Sequence, residues 1–222
     1  PSTDPKINIK VIPCCANLNL FDRAKATAEV KASIRTKVGL DENDFVLGYI
    51  GSIGTWYMLP EMLDYFKELK EAKPNSKFLF VSGEEPNKIL AAAAEKDIDT
   101  NDIKVTSVLH HEVPRFISLM DASIFFIKPS YSKKASSPTK QGEIMAMGVP
   151  LICNTNVGDT DLIVNKYKSG IVIDKFDSAT YQNNIIDPSK FDSDKISEGA
   201  KDYFSLTEGV QRYLSVYKAV CE

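Results

Sequence analysis

The chain is short of cysteine and histidine, has no long apolar run and carries no strong excess of either charge. Its four cysteines are too few and too scattered for a disulfide scaffold. Cys14 and Cys15 are adjacent, a poor geometry for pairing with each other, and Cys153 lies in an apolar run as a small hydrophobe. The four read as structural thiols in a reducing, cytoplasmic compartment. No apolar stretch approaches the roughly 18 residues of a membrane span, and no signal-peptide pattern is expected. The first residues, PSTDPK, lack an initiator Met, so the chain is expected to be a piece of a longer protein. Net charge is −3, which argues against a non-specific binder of nucleic acid or anionic membrane. Any anionic ligand must then be met by a local positive site. What is present is ordinary for a globular protein: 222 residues, 43% hydrophobic and 26% charged, enough for a sizeable core in one α/β domain.

Short apolar runs alternate with helical patterns. The expected strands are IKVIP (9–13), FVLGYIG (45–51), KFLFVSG (77–83), IKVTSVL (103–109), SIFFIKP (123–129), VPLIC (149–153) and GIVID (170–174). Between them, helices are expected over 23–38, 59–72, 87–96, 111–120, 139–147 and 161–167, and two more close the chain near 191–203 and 207–220. Pro114 is tolerated in a first helical turn. Strands of about five apolar residues alternating with helices indicate a doubly wound, Rossmann-like parallel sheet buried on both faces. Such sheets bind ligands beyond the carboxyl ends of their strands. The loops to watch are therefore 51–58, 83–86, 109–112, 128–139 and 153–160.

Four stretches carry chemistry. Loop GSIGT (51–55) follows a strand and precedes a helix. Gly51 and Gly54 let backbone approach a ligand closely, and the helix start favours an anion; taken alone, such a glycine turn is more often purely structural. In PTKQGE (138–143), Pro138, Thr139 and Lys140 lie where a helix begins, so free N–H groups and the lysine suit a phosphate or diphosphate. Glu143 lies three residues on, on the same face, where a carboxylate can accept two hydrogen bonds from a vicinal diol such as a ribose. The plainer alternative is a first-turn acid complementing the helix dipole. HHE (110–112) resembles a metal site only superficially, because adjacent histidines point different ways; a contact from His110 to a ligand's base fits better. DTD (159–161) resembles a metal-binding Asp-x-Asp, but a helix cap by Asp159 or Thr160 accounts for it.

These residues together resemble the C-terminal half of a GT-B fold glycosyltransferase of the group 1, or family 4, type. The likeness runs over nearly the whole chain. VIPCCANLNLF is similar to the family's opening strand and loop, and VLGYIGSIGTWYMLPEMLDYF to the first strand, glycine loop and helix of the donor domain. HHEVPRFISLMDASIFFIKPS and the closing YFSLTEGVQRYLSVYKAV also resemble family segments. PTKQGEIMAMGVPLICNTNVGD is the most specific match, being similar to the nucleotide-binding helix with its Glu, Ala-Met-Gly-x-Pro and following strand.

The resemblance implies a single donor-binding domain over residues 1–222, with an N-terminal acceptor domain absent from the chain. It implies a UDP- or GDP-linked sugar as donor, a glycan or lipid-linked acceptor, retention of anomeric configuration and no cofactor or divalent metal. The leaving diphosphate would be stabilised by helix dipoles and basic residues. Glu143 would hold the ribose hydroxyls, loop residues Gly51, Ser52, Gly54 and Thr55 with Pro138, Thr139 and Lys140 the diphosphate, and Leu109 and His110 the base. The catalytic residues would lie in the absent half, leaving this domain inactive alone, and the full protein could lie peripherally on the inner face of a membrane. Three positions depart from the family pattern. Ala135 stands where a first Glu is usual, Ser52 where an Arg is usual, and Tyr57 where a Lys is usual. Lys140, helped by Lys133 or Lys134, is expected to supply the missing charge. An epimerase of the same fold and a non-catalytic relative remain open alternatives. A phospho-acceptor receiver domain lacks the acidic cluster it needs at GYIGS and FIKPS.

Overall fold

A computed structural model describes residues 9–221. Six parallel strands form one sheet in the order β3-β2-β1-β4-β5-β6. They are β1 (Phe45–Ile50), β2 (Ser76–Val81), β3 (Ile103–Thr106), β4 (Ala122–Ile124), β5 (Leu151–Asn154) and β6 (Gly170–Ile173). The order doubles back between β1 and β4, the topological switch point at which doubly wound sheets open a crevice. The helices are α1 (Ala28–Val38), α2 (Leu59–Ala72), α3 (Pro86–Ala94), α4 (Val113–Ile117), α5 (Thr139–Ala146), α6 (Thr160–Tyr167), α7 (Ser178–Asn183), α8 (Ser193–Phe204) and α9 (Leu206–Cys221). None of the described helices is long and apolar enough to cross a membrane.

The sheet is covered on both faces, which explains its near-continuous apolar strands. Val46, Leu47, Tyr49, Phe78, Leu79 and Phe80 are all fully buried. Helix α2 begins with Pro60 in its first turn and presents Met62, Leu63, Tyr65, Phe66 and Leu69 to the core. Each such side chain contributes about 1.5–3 kcal/mol relative to exposure. Helix α5 packs closely on α8: a Cβ on Gly142 would stand only 2.8 Å from Cβ and Cγ of Phe204.

Several boundaries differ from the sequence expectation for identifiable reasons. Residues 9–13 form no strand; Ile9 and Val11 are exposed, and the segment joins no strand of the sheet, the next pairing along the chain being an isolated bridge outside the sheet from Ala16 to Ser205. The expected helix 23–38 is two pieces, a 3-10 turn (Arg23–Lys25) capped by the Asp22 carboxylate, and α1, whose first turn is capped by the Thr27 hydroxyl. Strand β4 ends at Ile124 rather than 129. Beyond it the Asn154 side chain replaces a strand neighbour, accepting from Ile127 N–H at 2.8 Å and donating to Ile127 C=O at 3.0 Å. Helix α7 was not expected and packs Tyr181 against Tyr65 and Phe126. Cys153 is buried as expected, but Cys14 and Cys221 are exposed. The PSTDPK reading lies outside the described residues.

Candidate functional site

A cleft of about 430 Å³ opens at the carboxyl ends of β1 and β2. Four loop regions line it: Gly51, Ser52 and Tyr57 after β1; Ser82 and Gly83 after β2; Val108 and His110 after β3; and Thr139, Lys140 and Glu143 at the start of α5. The topology alone brings these together, because every β-to-α loop of a parallel sheet emerges at the same edge. Of the residues singled out by sequence, Gly51, Ser52, His110, Thr139, Lys140 and Glu143 line the cleft. Gly54, Thr55 and Pro138 do not. Gly54 and Thr55 are exposed further along the loop, and Pro138 is the residue preceding α5.

Gly51 has φ +96 and Gly54 φ +49, left-handed conformations that glycine adopts without a Cβ clash. At Gly51 a Cβ would also stand 3.2 Å from the Lys140 ammonium, so the loop backbone runs directly over that cation. The ammonium donates to the Tyr49 hydroxyl at 3.1 Å, and that hydroxyl donates to the Ser52 carbonyl at 2.7 Å. It also lies 4.2 Å from the centre of the Tyr49 ring and 3.7 Å from that of Tyr57. Lys140 as a residue is partly exposed, but its charged end is sheltered by these rings. That burial lowers its pKa to about 7, against an opposing pull from Glu143. The ring faces also favour the charged form. Burial raises the pKa values of Tyr49 and Tyr57, so both stay neutral hydroxyls beside the lysine.

The Glu143 side chain is 13% exposed, and its Oε1 lies 3.0 Å from His110 Nε2. The His110 ring also packs against Phe21, with centroids 5.5 Å apart. His110 thus orients one carboxylate oxygen of Glu143, and among the described residues the other makes no hydrogen bond. The two histidines do point apart: His111 lines a separate cavity with Leu20, Val30 and Met147. Glu112 accepts the Leu109 N–H at 3.1 Å.

Other expected contributors are placed elsewhere. Lys133 lies over the Trp56 ring at 4.3 Å and Lys134 over Tyr131 at 5.9 Å; neither lines the cleft. Ala135 ends an exposed 3-10 turn, Tyr131–Ala135. Asp159 occupies the N-cap position of α6 but makes no side-chain cap. Its carboxylate instead accepts from the Tyr203 hydroxyl at 2.6 Å. Glu84 was not anticipated. It accepts the Gly54 N–H at 3.5 Å and pairs with Lys88 at 2.8 Å, so a carboxylate borders the glycine loop. Tyr49 was also not anticipated as part of the site, its only sequence signal being a tyrosine just before the glycine loop, whereas Tyr57, which stands where a Lys is usual, lines the cleft.

Residues 30–195 match the sequence profile of the glycosyl transferases group 1. The alpha-monoglucosyldiacylglycerol synthase of Acholeplasma laidlawii is 24% identical over 169 residues, covering 74% of this chain and 40% of that protein. A glycosyltransferase from Rickettsia africae superposes with a TM-score of 0.74 at 18% identity, over 96% of this chain and 57% of that one. Anabaena Alr3699/HepE, solved in complex with UDP-glucose, superposes with a TM-score of 0.72 at 18% identity, over 94% of this chain and 57% of that one. At these identities the structural likeness is one of fold. The chain spans less than half the length of the synthase and a little over half that of either solved protein.

Proposed function

The chain belongs to the group 1 glycosyl transferases, and on that premise we propose that it is the donor-binding half of a retaining enzyme that moves a sugar from a nucleotide to a glycan or lipid-linked acceptor. The observation that carries this reading is the joint placement of Lys140, the α5 N-terminus and the Glu143 carboxylate around one cleft. In this reading the diphosphate of a UDP- or GDP-linked sugar sits between the Gly51–Ser52 backbone and the first turn of α5, where N–H groups lack intrahelical partners. Glu143 accepts hydrogen bonds from the ribose diol with its open oxygen, and His110 holds the other. The base lies against Val108 and Leu109. As the glycosidic bond breaks, charge grows on the leaving diphosphate. Lys140 and the helix dipole stabilise that charge, so the reading calls for no divalent metal. The acceptor and the remaining catalytic groups come from the rest of a longer protein.

Calorimetric titration of the chain with UDP, GDP and their sugar conjugates, beside Glu143→Ala, tests this. Saturable binding of one nucleotide, lost in the variant, is expected. Binding that survives Glu143→Ala would remove the carboxylate from the site. Conversion of the donor sugar without acceptor by the full-length protein would favour an epimerase instead.

A further inference from the structure

The cleft contains an arrangement that anion binding alone does not require. Two aromatic rings from different segments clasp one cation, with Tyr49 and Tyr57 inclined at 76° to each other and the Lys140 ammonium against both faces. Tyr49 is locked in the central strand and fully buried. Tyr57 is locked by a short antiparallel pairing: Met58 N–H donates to Phe126 C=O at 2.9 Å and Lys128 N–H to Trp56 C=O at 2.8 Å. The Tyr49 hydroxyl ties the assembly to the glycine loop through the Ser52 carbonyl. Among the residues lining the cleft, Lys140 is the only lysine or arginine.

Among the described residues no carboxylate forms an ion pair with it, although Glu143 pulls on its charge. Glu143, on the same helix, pairs with His110, and Glu84, after β2, pairs with Lys88 and the Gly54 N–H. The groups facing the ammonium are thus two neutral tyrosines, with Glu143 and His110 lining the cleft and Glu84 beside the glycine loop. A π-face stabilises an ammonium without consuming its charge, whereas a carboxylate would compete with an anionic ligand. A long flexible side chain held in place in advance also loses less entropy when the ligand arrives.

Building on the nucleotide-binding reading, we propose that Tyr57 and Tyr49 are positioning residues: they form a cage that holds the Lys140 ammonium beneath the glycine loop as a preset cation for the phosphates of the ligand. Tyr57 acts through its ring and Tyr49 through ring and hydroxyl. Neither needs to touch the ligand.

The test compares Tyr57→Phe, which keeps the ring, with Tyr57→Leu, which keeps apolar bulk and loses the π-face. Inorganic pyrophosphate and UDP or GDP are the calorimetric probes at pH 6.5, and the Lys140 Nζ signal is followed against pH by NMR in the ligand-free chain. The phenylalanine variant is expected to bind pyrophosphate within about twofold of the parent and to titrate like it. The leucine variant is expected to bind about fivefold more weakly and to lose its lysine proton at lower pH. Equal behaviour of the leucine variant and the parent overturns the cage, as does a phenylalanine variant as weak as leucine, or a parent that binds no pyrophosphate. The two readings fail separately. Nucleotide binding abolished by Glu143→Ala but indifferent to Tyr57→Leu removes the cage alone. Ring-dependent pyrophosphate binding with no gain for any nucleoside diphosphate leaves the cage and removes the nucleotide.

Discussion

Replacing Glu143 by Gln keeps the shape of the side chain and deletes its charge. The amide can still meet His110 Nε2, now 3.0 Å from Oε1, so the local packing is preserved. What changes is the open oxygen, which in the proposed complex accepts from a ribose hydroxyl. A hydrogen bond to a charged group contributes about 1.5–3 kcal/mol, roughly twice a neutral one. The Glu143 side chain is 13% exposed, sheltered enough for that difference to be felt. Part of the charge-assisted gain persists as a neutral bond, so a loss of about 1–2 kcal/mol is expected, or roughly a 5- to 30-fold weaker Kd. The informative assay is a cycle of two proteins and two ligands, titrating parent and variant with the preferred nucleoside diphosphate and with its 2′-deoxy form. If the carboxylate reads the diol, removing the ribose hydroxyl costs the parent severalfold more than it costs the variant. Equal losses in both proteins would refute the assignment, because the carboxylate would then act on the ligand only through its general field.

Lys140→Met is expected to weaken nucleotide binding at least tenfold while stabilising the free chain. Burial lowers the folded pKa to about 7 from the ordinary 10.5. The unfolded chain therefore binds more protons between these values, and parent stability rises with pH across that window. The gain from methionine, about 1–3 kcal/mol after the ring faces offset part of the desolvation, should be full below pH 7 and fade towards pH 10; urea denaturation at pH 6 and pH 9 reads it. Gly142→Val drives a Cβ to within 2.8 Å of Phe204 and should cost about 1–3 kcal/mol in urea unfolding by forcing α5 from α8. Asp102 is nearly buried and bridges Lys70 at 2.8 Å and Lys77 at 2.7 Å. Burial pushes its pKa up, but the bonds from both lysines prevail and hold it below the ordinary 3.8. Its contribution is present above about pH 4 and lost as pH falls through the depressed folded value. Asp102→Asn should cost about 1–3 kcal/mol at pH 7, and the cost should shrink in chemical denaturation at pH 3.

The alternation of apolar strands and helices was enough to read a doubly wound sheet, and α2 matches its expected bounds, 59–72, because its apolar residues repeat at helical spacing. That Lys140 and Glu143 face one cleft was readable too, since residues three apart on a helix share a face. IKVIP has the pattern of a strand but finds no neighbour, and a strand exists only by pairing. SIFFIKP stays apolar past Ile124, yet a side-chain amide and a loop replace its ladder partners there. Asp159 has the residue type of a helix cap, but the hydroxyl of Tyr203, 44 residues away, takes its carboxylate.

Local features were legible in the residues: most of the strands and helices, where the glycine loop turns, and which helix start carries a lysine and an acid. The partners of those groups depend on the packed fold. His110 reaches Glu143 across 33 residues and Tyr49 reaches Lys140 across 91. Neither pair leaves a periodic trace in the chain, because each contact depends on strand order and on which loops the sheet brings to one edge. A lysine and a tyrosine far apart in sequence become a caged cation only when the fold brings the start of α5 to the carboxyl end of β1, and it is the burial of the core, not any local preference, that puts them there.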